Sequence, residues 1–146
     1  HIFSEGPRFD QLRASAAADA QVEFHALVPE QALGELYARS TIQIIPQAAG
    51  TGDGALPSKL PNLIAAGVPV FMICDADSEA AMLLKNAGDS AGCCVTDYDS
   101  PQSLARFDGF LDEVLKQDRN DRVQRQRGFV ERMFRVAPVS EEILED

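Results

Sequence analysis

Pro57-Ser58-Lys59-Leu60-Pro61-Asn62-Leu63-Ile64-Ala65-Ala66-Gly67-Val68-Pro69-Val70 is the stretch that decides the fold. It reads as a loop, a short helix, a glycine stop and a buried strand. Ser58 stands where it can cap a helix from Lys59 to Ala66, with Pro61 in the first turn, where a missing N–H costs little. Gly67 ends that helix. Val68 to Cys74 is a nearly continuous apolar run, the pattern of a strand buried on both faces. Just upstream lies a glycine-rich loop, Gly50-Thr51-Gly52-Asp53-Gly54. A helix N-terminus behind such a loop, with Lys59 beside it, is a place for a phosphate. The unit therefore points to a nucleotide-linked substrate.

Outward from this unit, strand-like and helical segments alternate. His1 to Ser4, Val22 to Ala26, Thr41 to Ile45 and Gly92 to Thr96 read as further short strands. Arg8 to Ala18 and Glu30 to Arg39 read as helices, the second carrying Leu33, Leu36 and Tyr37 at helical spacing. Ser78 caps a helix from Glu79 to Asn86, and Ser100-Pro101 opens one to about Gln117, with Leu104, Phe107, Leu111 and Val114-Leu115 inward. A polar break at Asp118 to Asp121 precedes an arginine-rich helix with Val123, Val130 and Met133-Phe134 inward, and a short acidic helix ends the chain. This alternation predicts an α/β fold, a Rossmann-like parallel sheet with helices on both faces. Ligands of such sheets bind at the carboxyl ends of the strands, where the loop after Pro46 lies.

The chain has 146 residues, enough for one domain with a real core, and 45% of them are hydrophobic, which argues against disorder. It opens on His1-Ile2-Phe3 without a methionine and so reads as a piece of a longer protein. A formal net charge of -10 makes the chain a poor nonspecific binder of nucleic acid, though a nucleotide can still bind locally through oriented amides and one lysine. The three cysteines, Cys74, Cys93 and Cys94, are odd in number and lie in strand-like surroundings, so they read as buried free thiols in a reducing, cytoplasmic compartment. No metal site is expected, because there is no CxxC and His1 and His25 lie far apart in sequence.

These residues together resemble the carboxy-terminal, nucleotide-sugar-binding domain of the retaining GT-B glycosyltransferases, the group 1 or GT4-like family. Phe3-Ser4-Glu5-Gly6-Pro7 is similar to the family's strand ending in a Gly-x-Gly-Pro turn, with Ser4 for the first glycine. Val22 to Pro29 resembles its strand and base-contacting turn, and Leu36 to Ser40 with Ile44-Ile45-Pro46 its helix and proline-ended strand. Leu56 to Leu60 through Ala65-Ala66-Gly67-Val68-Pro69-Val70 is similar to the branch that builds capsular or O-antigen polysaccharides. Arg127 to Phe134 resembles the closing helix.

The resemblance implies residues 1-146 to be a single nucleotide-diphosphate-sugar-binding domain, the C-terminal half of a GT-B fold. Its first strand and helix, and the whole acceptor domain, would precede His1. The full-length protein would then be a hexosyltransferase-type enzyme of the cell envelope, moving a sugar to a polysaccharide or lipid-linked acceptor. This piece alone would be inactive. No cofactor or metal is implied beyond the donor itself. Lys59, Ser58 and the amides of Lys59 and Leu60 would hold the diphosphate, Asn62 the ribose, and the backbone of Ala26 to Val28 the base. The family's two glutamates, eight residues apart, are here Gly54 and Asn62; Asp53 stands next to the first and can reach a sugar hydroxyl. Asn62 accepts a hydrogen bond without the strength of a charged acceptor. His25 reads as a structural strand-end histidine, with base contact as the alternative. Glu79 reads as a first-turn partner of its helix dipole, the alternative being the family's glutamate after its glycine pair, which it resembles. No general base is visible, so no catalytic residue is assigned. Arg119, Arg122, Arg125, Arg127, Arg132 and Arg135 read as a solvated helix face, the alternative being peripheral contact with an anionic inner membrane face. Two rival functions remain: a nucleotide-sugar epimerase or phosphorylase-like GT-B enzyme, and a non-catalytic Rossmann-type interaction module.

Overall fold

The computed structural model of the chain describes residues 1–16, 21–51 and 56–133. Gly52, Asp53 and Gly54 of the glycine loop, Phe134 and Arg135, and the acidic helix expected at the C-terminus lie outside the described residues. The chain forms two compact units, one spanning His1–Leu36 and the other beginning at Tyr37.

In the first unit, β1 (Ile2–Phe3) pairs in parallel with β2 (Phe24–His25), Ile2 opposite Phe24 and Phe3 opposite His25. Between them runs α1 (Pro7–Ser15), which begins with proline at its first turn, where no N–H is missed. Phe9 of α1 meets the Phe24 ring edge-on at 5.7 Å. The helix expected from Glu30 starts as a 3-10 turn, Glu30–Ala32, and becomes α2 (Leu33–Arg39), whose residues from Tyr37 on belong to the second unit. Extended Pro29 sets that tighter turn by accepting from the Ala32 amide at 2.9 Å.

In the second unit, β3 (Gln43–Pro46), β4 (Val70–Ile73) and β5 (Gly92–Val95) form a parallel sheet in that order. α3 (Leu60–Ala65) and α4 (Glu79–Ala87) connect them, and α5 (Pro101–Lys116) and α6 (Arg119–Met133) follow. Pro46 closes β3, an edge of this sheet, where a missing ladder donor is tolerated. Alternation along β4 sends Val70 and Met72 to one face, against Leu60, Leu63 and Ile64 of α3 and Leu83 and Leu84 of α4, with Phe129 and Val130 of α6 packed on the same cluster. Phe71 and Ile73 face the other way, under Phe107, Phe110 and Val114 of α5. The Phe71 and Phe107 rings meet edge-on at 4.9 Å. Helices thus cover both faces of a parallel sheet, and the fold is α/β and compatible with a Rossmann-like arrangement. No described helix is long and apolar enough to cross a membrane.

Three expected details come out differently. The buried face of α5 is Ser103, Phe110 and Val114, while Leu104 and Leu115 are 57% and 65% exposed. Docking of Phe107, Phe110 and Val114 on Phe71 of the sheet sets this rotation. The cap agrees with it: the Ser103 amide donates to Ser100 Oγ at 3.1 Å and the Ser100 hydroxyl donates to Ser103 Oγ at 3.1 Å. α6 begins at Arg119, so the polar break is shorter than the sequence suggests, and Met133 is exposed at its end. Its arginines are also not all solvated. Arg122 is buried, and its Nε donates to the Gly67 carbonyl at 2.9 Å, while Arg119 Nη2 donates to the Tyr37 carbonyl at 3.1 Å.

Gly67 turns the chain from α3 into β4 at φ 65°, a left-handed conformation, and a Cβ built there would lie 2.5 Å from Val123 Cγ2 and 2.8 Å from Val123 Cα. Both conditions demand glycine. Gly67→Ala is expected to destabilise by about 2–4 kcal/mol, read as a lower urea midpoint at unchanged m-value. Phe110→Ala is expected to cost about 3–4 kcal/mol and Leu104→Ala less than about 0.5 in the same assay; the reverse order would restore the face the sequence suggested for α5.

Candidate functional site

The carboxyl ends of β3, β4 and β5 open into the segments at 47–51, 74–78 and 96–100, and residues 56–59 lead into α3. The first loop continues the ladder for one step, as the Gln47 amide donates to the Ile73 carbonyl at 2.8 Å. It then turns at Ala48–Thr51, where the Thr51 hydroxyl donates to the Ala48 carbonyl at 2.6 Å. Gly50, at φ 75°, presents its amide to Asp75 Oδ2 at 2.8 Å. Asp75 thereby ties the loop after β3 to the end of β4.

The chain enters α3 through a turn in which the Leu60 amide donates to the Pro57 carbonyl at 2.9 Å. This changes two expectations. Lys59, not Ser58, is the residue at the helix boundary, it is already helical in conformation, and no side chain caps α3. Leu60 is fully buried and its amide is taken by Pro57, so it offers nothing to a ligand. Ser58, Lys59 and Asn62 are exposed, Lys59 and Asn62 one turn apart. Serine caps do form where they were expected on the neighbouring loops: Ser78 Oγ accepts from the Ala81 amide at 3.2 Å, and Ser100 caps α5. Asp53 and Gly54 are outside the described residues. Ala26, exposed, and Val28, half-buried, belong to the first unit.

The mouth is more acidic than the motif alone suggests. Asp75, Asp77, Glu79, Asp97 and Asp99 all sit on or beside its loops, and Lys59 is the one lysine among their described residues. Hydrogen bonds from the Asp99 side chain and amide hold Asp97 below the usual carboxylate value, and that contact with the Asp97 charge raises Asp99. Both groups are fully exposed, so the exchange is local.

Sequence reasoning missed a cluster of thiols and a cavity. A cavity of about 440 Å³ lies along β5 and α5, lined by Asp89, Cys93, Arg106, Phe110, Glu113 and Gln117 among others. None of the residues expected to bind a donor lines it. Arg106 Nε donates to Cys93 Sγ at 2.9 Å. Of the thiols expected to be buried, only Cys74 is; Cys93 and Cys94 are half-buried, because β5 is an edge strand. Burial, and after it the neighbouring Cys74 and Cys93, push the Cys94 thiol up to about 12, with Arg106 opposing. Sequence distance also misled for the histidines: His1 Nδ1 lies 3.0 Å from His25 Nε2, because β1 and β2 are paired.

No family model matches the chain, and neither a curated protein nor a solved structure is significantly similar to it.

With Cys74 buried and Cys94 held as a neutral thiol, labelling with a disulfide reagent at about pH 8 is expected to stop at one fast thiol, Cys93. Cys93→Ser is expected to remove that phase, and the other two to react only in denaturant. A fast phase that survives the substitution contradicts this assignment.

Proposed function

We propose that the chain is the donor-binding domain of a retaining glycosyltransferase that moves a sugar from a nucleotide diphosphate sugar to a polysaccharide or lipid-linked acceptor. One observation carries the reading. Lys59, flanked by exposed Ser58 and Asn62, stands on the turn that leads from the carboxyl end of β3 into α3. In a parallel α/β sheet that is the end where ligands are held. The resemblance of Leu56 to Val70 to the polysaccharide-building branch supplies the donor class.

In this reading the domain's task is to hold the diphosphate and offset the charge that develops on it as the sugar leaves. Lys59 supplies the ammonium. Ser58 supplies a hydroxyl, and Asn62 accepts from the ribose. Leu60 keeps a role, but a mechanical one: buried in the core and bonded through its amide to Pro57, it fixes the turn that displays Lys59. The main chain of Ala26 to Val28 is assigned to the base. The acceptor would be bound by an upstream domain in cis, so this piece is expected to bind a donor weakly and to transfer nothing.

A second reading, a non-catalytic interaction module, is favoured by the carboxylates Asp75, Asp77, Glu79, Asp97 and Asp99 around the mouth, which repel a diphosphate. Calorimetry with UDP, GDP, ADP and dTDP separates the two. The donor reading expects saturable binding of one of them and a loss of affinity of about tenfold or more, about 1.4 kcal/mol, in Lys59→Ala. The unfolding midpoint should not move, since Lys59 is exposed. Absence of binding by all four, with the upstream half of the protein restored, favours the module.

A further inference from the structure

We propose that His1, Glu23 and His25 form a binding site for a divalent transition-metal ion, with Zn²⁺ the ion that fits. The inference rests on these three residues alone and is independent of the donor-binding reading.

β1 and β2 run parallel, with Phe3 opposite His25, and the Ile2 amide donates to the Glu23 carbonyl at 2.8 Å. Side chains two apart on a strand share a face, and neighbours on paired strands face each other. His1, Phe3, Glu23 and His25 therefore meet on one side of this small sheet. His1 Nδ1 lies 3.0 Å from His25 Nε2 and 3.4 Å from Glu23 Oε2, and His25 Nε2 lies 3.5 Å from that same oxygen. Among the described residues this is the group of His, Cys, Asp and Glu side chains whose ligand atoms converge closely enough to hold a metal ion.

Two sides of the triangle have the dimensions of a coordination face, and the His1–His25 side, at 3.0 Å, is somewhat shorter. Zn–N and Zn–O bonds of about 2.0–2.2 Å place the corners of a tetrahedron about 3.3–3.5 Å apart. Two imidazole nitrogens and one carboxylate oxygen are a common donor set for Zn²⁺ with an open position. Two ring nitrogens 3.0 Å apart also need a positive charge or a proton between their lone pairs. A cation meets that need and neutralises Glu23 as well. The Phe3 ring stacks on His25 with centroids 4.7 Å apart, which restrains the rotation of one ligand. The His1 and Glu23 side chains are each 63% exposed, so the fourth position opens to solvent and takes a water.

The test is titration of Zn²⁺ into the chain carried behind a short Gly-Ser extension, which keeps an α-amino group away from His1, with no polyhistidine tag. Calorimetry is expected to show one saturable Zn²⁺ per chain, and Co²⁺ is expected to give the visible absorption of a tetrahedral site. Glu23→Gln and His25→Gln are each expected to weaken Zn²⁺ by about 100-fold or more, at the top of or beyond what loss of an outer-shell partner costs. Glu23 is exposed, so its variant keeps the test valid if His25→Gln disturbs the fold, and circular dichroism checks both. Three results overturn the proposal: no saturable binding, less than tenfold weakening in Glu23→Gln, or binding lost only when Cys93 and Cys94 are replaced by serine.

Discussion

The second unit depends on one seam, the face of α6 that carries Arg119, Arg122 and Gln126. The last carbonyls of a helix have no partner within it, and burying them without donors is costly. Here three such ends converge beneath α6. Arg119 reaches the Tyr37 carbonyl near the end of α2, Arg122 reaches Gly67 just past α3, and Gln126 Nε2 donates to the Ala87 carbonyl at the end of α4 at 3.3 Å and to Ser90 Oγ at 2.9 Å. Spacings of three and four residues put the donors on one face. A hydrogen bond from a charged group is worth about 1.5–3 kcal/mol, and against it stand Arg122 Nη1 and Gln126 Oε1, buried without a protein partner. Burial, with Arg119 and Arg125 beside it, lowers the Arg122 pKa, which is the electrostatic cost of placing a guanidinium there.

The seam also divides the sheet by task. Gly67, Ala87 and Ser90 all lie at the amino ends of β4 and β5, and α6 closes that end. Val123 sits against Gly67 so closely that no side chain fits between them. The carboxyl ends are left to loops, and there the polar groups are exposed: Ser58, Lys59, Asp77, Asp97 and Asp99. In open α/β sheets the carboxyl end is the one that holds ligands. The bond between Gly50 and Asp75 is the exception at the mouth, a tether that shapes the loop after β3.

Much of this was legible in the sequence. The five strands, the glycine stop at Gly67 and the caps Ser78 and Ser100 follow from local chemistry, and each is found within a few residues of its expected place. The turn at 57–60 was legible only in part. Lys59 and Asn62 are displayed, but the expected cap by Ser58 and the amide of Leu60 are not, because Pro57 accepts the bond that a ligand was to receive. A turn that closes on itself leaves no mark in residue type that separates it from a capped helix start. Arg119 and Arg122 depart from the solvated face that Arg125, Arg127 and Arg132 keep, for a similar reason: charge alone signals solvent until a carbonyl in need of a donor is placed beside it.

Periodicity, turn residues and capping act over a few neighbours, so the sequence by itself determined the order and kind of the elements, the layered α/β class and the buried strand at β4. What depends on separation in space was decided by the tertiary structure. The rotation of α5 about its axis, the burial of Arg122 against Gly67, the acidity gathered at the mouth, and the meeting of His1 with Glu23 and His25 are of this kind. Each joins residues whose distance along the chain carries no information about their distance in the fold, because strand pairing and helix docking, not local propensity, bring them together.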